Sequence, residues 1–363
     1  MAGVYSVSAL KAFLMPIFDS QLRYLLSPFG YLYDAGVGVR NLLYDLGWVK
    51  AFRISKPVIS IGNLSFGGTG KTPLVAQLAR YLRDSGLRVC IISRGYGRKS
   101  RGRVLVSDFT QVYADAASAG DEPAMLARNC HGVMVVVDSD RVAAARAFES
   151  DCDCFILDDG FQHRRLYRNL DIVLLDSRRP LPGPGPSSLS GYREGKSGLK
   201  RASLIVLTHA SSDSKSDFAG KLEPLLRPGT RVFSSTHRIG SFRDLITGAE
   251  STPDRLRDLP VVAFSGIGNP SAFESALKQL GAQLKSARRF GDHHWYRSDE
   301  LLAMVKEYPG DTLVTTEKDE IKLLAFLADF PHISLLAARL EVDVDDWNVL
   351  AAEVMSRTGL ERR

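Results

Sequence analysis

The chain has 363 residues, 45% of them apolar, and this length exceeds the roughly 100 to 200 residues of one ordinary domain, so two are expected. A net charge of +6 favours an anionic partner, whether phosphorylated substrate, membrane surface or nucleic acid. Four cysteines in so long a chain do not make a disulfide framework, and the C-x-C of Cys152 and Cys154, with no Cys or His cluster downstream, reads as buried packing rather than a zinc site.

Residues 1–53 hold ten of the 32 aromatics, with Lys11, Arg23, Arg40, Lys50 and Arg53 among them. No apolar run there approaches the ~20 residues that span a bilayer, and the segment lacks a signal-peptide cleavage pattern. The mixture suits either a helix lying on a membrane or a helical layer packed on the core.

From Lys56 onward, short apolar runs alternate with amphipathic stretches: PVISIG, LVAQLARYL, RVCIIS, VMVVVD, FILDD, DIVLLD and SLIVLT. This pattern predicts a parallel sheet covered on both faces. The loop PLPGPGPSSLSGYREGKSG, 180–198, interrupts it, and loops of that length are usually functional or disordered. A weakly patterned region, 211–258, is taken to contain the domain boundary. A second series follows: VVAFSG, a helix near Ser271–Leu280, and TLVTT. GIGNPSAF within it carries no lysine and reads as a helix cap.

The stretch SIGNLSFGGTGKTPLVAQLARYL, 60–82, has the form of a phosphate-binding loop between strand and helix. Gly67, Gly68 and Gly70 let the backbone curl, Thr69 lies within that curl, Lys71 can reach the β- and γ-phosphates, and the Thr72 hydroxyl can ligate Mg²⁺. Ser65 stands where the usual pattern has its first glycine. CFILDDGFQH ends an apolar strand on Asp158 and Asp159, as a metal-holding pair at the carboxyl edge of a parallel sheet would. The N-K-x-D guanine motif does not occur, since TEKD at 316–319 has its lysine one place late, so ATP is favoured over GTP. For a base near the γ-phosphate, GDEP (120–123) offers Asp121 and Glu122, and FGDHHWY (290–296) offers His293 and His294. Basic residues follow two strands, in SRGYGRKSRGR (Arg94, Arg98, Lys99, Arg101, Arg103) and HRRLYR (Arg164, Arg165, Arg168), where open α/β sheets bind ligands. No stacking motif or basic recognition helix points to nucleic acid.

Taken in order, GGTGKTP, SRGYGR, GDEP, LDDGFQHRRLYRNLDIVLLD, FSGIGNPSAF, FGDHHWY and TTEKD resemble the tetraacyldisaccharide 4'-kinase family over almost the whole chain. The resemblance implies a P-loop NTPase-like α/β kinase domain at 54–235, a second smaller α/β domain at 236–363, and a membrane-associating helical segment at 1–53. It implies transfer of the γ-phosphoryl group of ATP, with Mg²⁺, to the 4'-hydroxyl of an acylated glucosamine disaccharide 1-phosphate. It also implies peripheral attachment to the cytoplasmic face of the bacterial inner membrane, with no obligate protein partner evident. Carried over by motif, Asp121 becomes the base and His293 its partner, with His294 competing. Ser65, Gly67, Gly68, Thr69, Gly70, Lys71 and Thr72 hold ATP; Thr72, Asp158, Asp159 and Glu122 serve the metal; Arg94, Gln162, His163 and Arg164 meet the substrate. A hydroxyl residue before the loop, as in GNLS, looks like a family feature. The long 180–198 loop and the histidine of VLTHA depart from the family pattern, leaving Arg193, Glu194 and His209 without an assigned role.

Overall fold

The computed structural model describes residues 20–183, 185–210, 218 and 220–363. Two compact units divide them: Phe18–His237 with Val342–Arg363, and Arg238–Glu341. Of the segment 1–53, residues 1–19 lie outside the described residues, as do 211–217 and 219 of the expected boundary region.

The first unit carries a sheet built on β1 (Val58–Asn63), β2 (Val89–Ser93), β3 (Val104–Ser107), β4 (Met134–Val137), β5 (Cys154–Asp158), β6 (Leu170–Asp176), β7 (Leu204–Thr208) and the start of β8 (Arg231–Asp244). Their order is β8-β7-β6-β1-β5-β2-β4-β3, and the pairs are parallel except β3 with β4. β1, β2, β4, β5 and β7 are buried along their whole length, which is why their sequences are continuous apolar runs rather than alternating ones. The helices of this unit are α1 (Ser20–Asp45), α2 (Lys71–Asp84), α3 (Ala116–Ala119), α4 (Asp121–Asn129) and α5 (Arg141–Ala147). The four cysteines are all buried, and Cys90 and Cys152 belong to one core cluster with Val58, Ile92, Phe155 and Leu157.

α1 lies against the 180–198 loop. A Cβ on Gly30 would come within 2.6 Å of the Pro186 side chain, the Ser187 amide donates to Asp34 at 2.6 Å, and the Tyr33 hydroxyl donates to the Arg193 carbonyl at 3.2 Å. Phe29, Leu32, Val39 and Leu42 on α1, and Leu46 and Trp48 just beyond it, remain exposed.

In the second unit the strands β10 (Pro260–Ser265), β11 (Gln283–Arg289), β12 (Thr312–Thr316) and β13 (Leu335–Val344) run in the order β11-β10-β12-β13, all pairs parallel. The short β9 (Glu250–Ser251) pairs antiparallel with the end of β8. Helices α6 (Pro270–Gln279), α7 (Ser298–Glu307) and α8 (Glu317–Leu323) complete it. Asn269 caps α6 by accepting from the Ala272 amide at 3.2 Å, the role read from GIGNP.

Two features differ from the sequence reading. The weakly patterned 211–258 region contains the 14-residue strand β8, whose buried positions include Ser234 and Ser235 and so leave no apolar run to see. The last helix, α9 (Trp347–Thr358), groups with the first unit rather than with 236–341. Trp347 meets the Tyr81 ring edge-on at 5.9 Å, Arg357 donates to the Ser203 and Gly229 carbonyls, and the Arg363 amide donates to the Ser85 carbonyl at 2.9 Å.

Candidate active site

β1 delivers the chain to the loop at Leu64, which is fully buried, and α2 begins at Lys71. Gly67 (φ +111°) and Gly70 (φ +74°) take left-handed backbone angles that side chains resist. At Gly70 space forbids a side chain as well, because a Cβ would sit 1.9 Å from Nε2 of His237. Ser65 is not among the residues with positive φ, so a serine fits there without strain. It forms an antiparallel bridge with Tyr192, while the Phe66 amide donates to the Gly191 carbonyl and the Arg193 amide to the Leu64 carbonyl, both at 2.7 Å. The near side of the loop is thus paired with the 180–198 loop. The far side carries the α2 terminus, which has no side-chain cap, and the first amides of such a helix end suit an anion.

Lys71 is held in place by two oxygens. With its amide oxygen turned toward it, Asn63 accepts from the Lys71 ammonium at 3.1 Å and from the Thr69 hydroxyl at 2.9 Å, and Asp159 Oδ1 lies 3.4 Å from Nζ. Asp159 has φ +51° at the end of β5, and its other oxygen is 2.5 Å from Nη1 of Arg193. Arg141, buried at the start of α5, donates to the Asp159 carbonyl at 3.0 Å.

The two acids at the end of β5 have their pKa values pushed in opposite directions. Burial, then the charges of Glu122 and Asp159, raise Asp158 to about 7, although Lys71 and the Ser93 hydroxyl, which donates at 3.0 Å, oppose the rise. Asp159 is also penalised by burial, but Lys71 and Arg193 outweigh it and hold the carboxyl below its ordinary value. Asp158 Oδ1 is buried and has no hydrogen-bond partner. Thr72 is buried in the first turn of α2.

Asp121 and Glu122 open α4, where the positive helix end favours acids, and Asp121 is buried. Gly120 before them has φ +93°, and a Cβ on it would meet the Tyr96 carbonyl at 2.9 Å. GDEP and SRGYGR are therefore packed on each other. Arg94 and Arg193 both act electrostatically on Arg141, as do Asp158 and Asp159.

The DDGFQHRRL residues divide their attention. Gln162 donates to the Asn63 carbonyl at 2.8 Å and to Glu194 at 2.9 Å, and Glu194 is in turn paired with Arg201 at 2.8 Å. Arg164 donates to the Asn41 carbonyl and to Asp45 at 2.6 Å, and its guanidinium lies over the Tyr44 ring, so it ties α1 to the sheet. Nε2 of His163 is buried without a partner, and burial followed by Arg141 and Arg168 pushes this imidazole down to about 4. His209, with φ +56°, is 3.6 Å from Asp176 and 5.2 Å from the ring of His237.

In the second unit, His293 has φ +63° and its Nε2 lies 3.5 Å from the Lys318 ammonium. His294 instead pairs with Glu300 at 3.0 Å and stacks on Phe290 at 4.7 Å.

The family model for tetraacyldisaccharide-1-P 4'-kinase matches residues 22–358. The chain belongs to the tetraacyldisaccharide 4'-kinase family. As a tetraacyldisaccharide 4'-kinase it is a lipid kinase, with relatives that match nearly end to end. The Geobacter metallireducens tetraacyldisaccharide 4'-kinase is 40% identical over 336 residues, covering 90% of this chain and 96% of that protein. The Chlorobium luteolum tetraacyldisaccharide 4'-kinase is 39% identical over 316 residues, covering 84% and 88%. The crystal structure of Aquifex aeolicus LpxK in complex with ATP superposes with a TM-score of 0.75 at 35% identity, covering 93% of this chain and 99% of that one. The α/β fold with an N-terminal helix is thus the family's fold.

Within this tetraacyldisaccharide 4'-kinase the sequence reading passed over Arg141 and Asn63 and left Arg193 open. Arg141 follows the apolar strand VMVVVD, the same strand-end position that marked Arg94. Asn63 is the last residue of β1, and its amide is what fixes Lys71.

Proposed function

We propose that this kinase transfers the γ-phosphoryl group of ATP to the 4'-hydroxyl of a tetraacyl glucosamine disaccharide 1-phosphate in lipid A biosynthesis, using the residues gathered around Lys71. The observation that carries this reading is the Lys71 ammonium, held between Asn63 and Asp159 at the uncapped end of α2. The amides of Gly67 to Thr72 bind the phosphates and Lys71 neutralises charge on the group in flight. Arg141 and Arg193 set the position of Asp159 and raise the positive field around it. Asp121 accepts the hydroxyl proton as the oxygen bonds to phosphorus and ADP leaves, with His293 its partner. Arg94 and His163 contact the sugar phosphate.

The residues present fit Mg²⁺. Asp158 Oδ1 is buried without a hydrogen-bond partner, and the Thr72 hydroxyl, Glu122 and Asp159 offer further hard oxygens. Mg²⁺ is commonly held by one or two carboxylates together with substrate phosphates. Asp158 and the Thr72 hydroxyl would hold the ion, which would supply positive charge to offset that of the phosphates.

The exposed apolar residues of α1 and Trp48 support peripheral attachment to a membrane surface, which we place at the cytoplasmic face of the inner membrane. No helix among the described residues is long and apolar enough to cross a membrane.

The test is purified enzyme with ATP, Mg²⁺ and tetraacyldisaccharide 1-phosphate, with the lipid product analysed by mass spectrometry. A 4'-phosphorylated lipid formed in step with ADP supports the reading. ATP consumption that ignores the lipid and leaves it unmodified overturns it in favour of an ATP-driven switch.

A further inference from the structure

TTEKD, 315–319, shows no guanine-binding pattern, yet two of its side chains meet the His293 loop. Thr316 caps α8 by accepting from the Asp319 amide, which fixes the direction of the next residues. The Asp319 carboxylate is fully buried, paired with the equally buried Lys322 at 3.4 Å, and accepts from the Thr316 hydroxyl at 2.7 Å and from the Gly266 amide at 3.0 Å. The Gly266 carbonyl in turn accepts from the His293 amide at 3.0 Å. A Cβ on Gly266 would be 3.1 to 3.2 Å from His294, Asp319 and Gly291, so these three segments close on one point. The left-handed backbone of His293 costs a non-glycine residue about 1 kcal/mol or more and is retained by this chain of hydrogen bonds.

Lys318, the residue before Asp319, meets the ring itself. Its ammonium is 3.5 Å from His293 Nε2 and 3.8 Å from Asp292 Oδ1, and Asp292 Oδ2 is 3.9 Å from the same Nε2. An ammonium has donors only. Facing it, Nε2 must present its lone pair, so the neutral imidazole carries its proton on Nδ1.

We propose that Lys318 is a positioning residue for His293, selecting the neutral tautomer in which Nδ1 carries the ring's proton. The proposal deepens the functional reading above and rests on His293 taking part in phosphoryl transfer. Lys318 does not touch ATP or lipid in this scheme; it acts through the imidazole. Because Lys318 is partly exposed and belongs to neither core cluster of this unit, removal of the charge leaves the fold in place.

The test combines kinetics with ring nitrogen NMR on the full-length enzyme labelled in histidine. Lys318→Met is expected to lower kcat about tenfold or more while the KM for ATP changes less than about twofold, with Lys318→Arg restoring most of the rate. In a His293→Ala background the same Lys318→Met change is expected to alter kcat less than about twofold, because the residue through which it acts is gone. The His293 ring nitrogens are expected to report protonation at Nδ1 in the wild type and a mixture of tautomers in Lys318→Met. An unchanged kcat in Lys318→Met, an equal loss in both backgrounds, or an unaltered tautomer overturns the proposal. His293→Ala at the wild-type rate removes His293 from the reaction and this role with it. A crippled His293→Ala beside a normal Lys318→Met removes Lys318 alone.

Discussion

Arg193 and Asp159 form an ion pair of 2.5 Å, and the second oxygen of that carboxylate faces the Lys71 ammonium at 3.4 Å. One acid thus orients two cations beside the phosphate loop. It is anchored at its own carbonyl by a third, Arg141.

Loss of Arg193 releases one side of Asp159, which can then close fully on Lys71 and draw its ammonium off the phosphates. Arg193→Ala is expected to lower kcat by about 10²-fold, the scale seen on removal of one group that stabilises transition-state charge. The melting temperature should move little, since the pair is partly exposed. Steady-state kinetics on the folded variant checks this; a rate within threefold of wild type would remove Arg193 from the site.

Gly70 is constrained twice, by φ +74° and by the His237 ring. Gly70→Ala should weaken ATP binding at least tenfold and destabilise the protein by about 1 kcal/mol from backbone strain alone, with the clash adding to it. Combining it with His237→Gly removes the clash and not the strain, so calorimetry should show partial recovery of stability. Equal stability of the single and double variants would contradict the crowding at this position.

Asp158 supplies a pH signature. Its folded-state value of about 7 lies above the ordinary carboxyl range, so its contribution to stability is present at low pH and is lost as pH rises through 7. Without nucleotide or metal, Asp158→Asn should gain roughly 2 to 4 kcal/mol over wild type at pH 8 and little at pH 4. Added Mg²⁺ and ATP should narrow the difference by stabilising wild type. Wild-type activity should in turn need more Mg²⁺ at pH 6 than at pH 8. Thermal melts of both proteins across pH 4 to 8 decide; parallel curves would show that Asp158 titrates normally.

The exposed residues of α1 give a membrane prediction. Leu32 is 71% exposed and Trp48 78%, so replacing both by Glu should leave the melt unchanged. Each side chain buried in lipid contributes about 1.5 to 3 kcal/mol, and the double variant should lose binding to phospholipid vesicles by 10²-fold or more. Flotation without detergent measures it, and retained binding would place the attachment elsewhere.

Local patterning decided much of this protein. The continuous apolar runs of β1, β2, β5, β6 and β7 declared a sheet covered on both faces, the GTGKT turn declared its phosphate loop, and GIGNP declared a helix cap, because each depends on residues within a few positions of one another. What no window could show is the convergence of distant segments. His237 forbids a side chain at Gly70, Arg141 and Arg193 meet at Asp159, Arg164 fastens α1, Lys318 comes to His293, and α9 returns to the first unit. Those contacts join residues far apart along the chain, where no hydrophobic period or turn chemistry links one partner to the other. They exist only once the strands have taken their order in each sheet, and that order is set by packing of whole elements rather than by any stretch read alone.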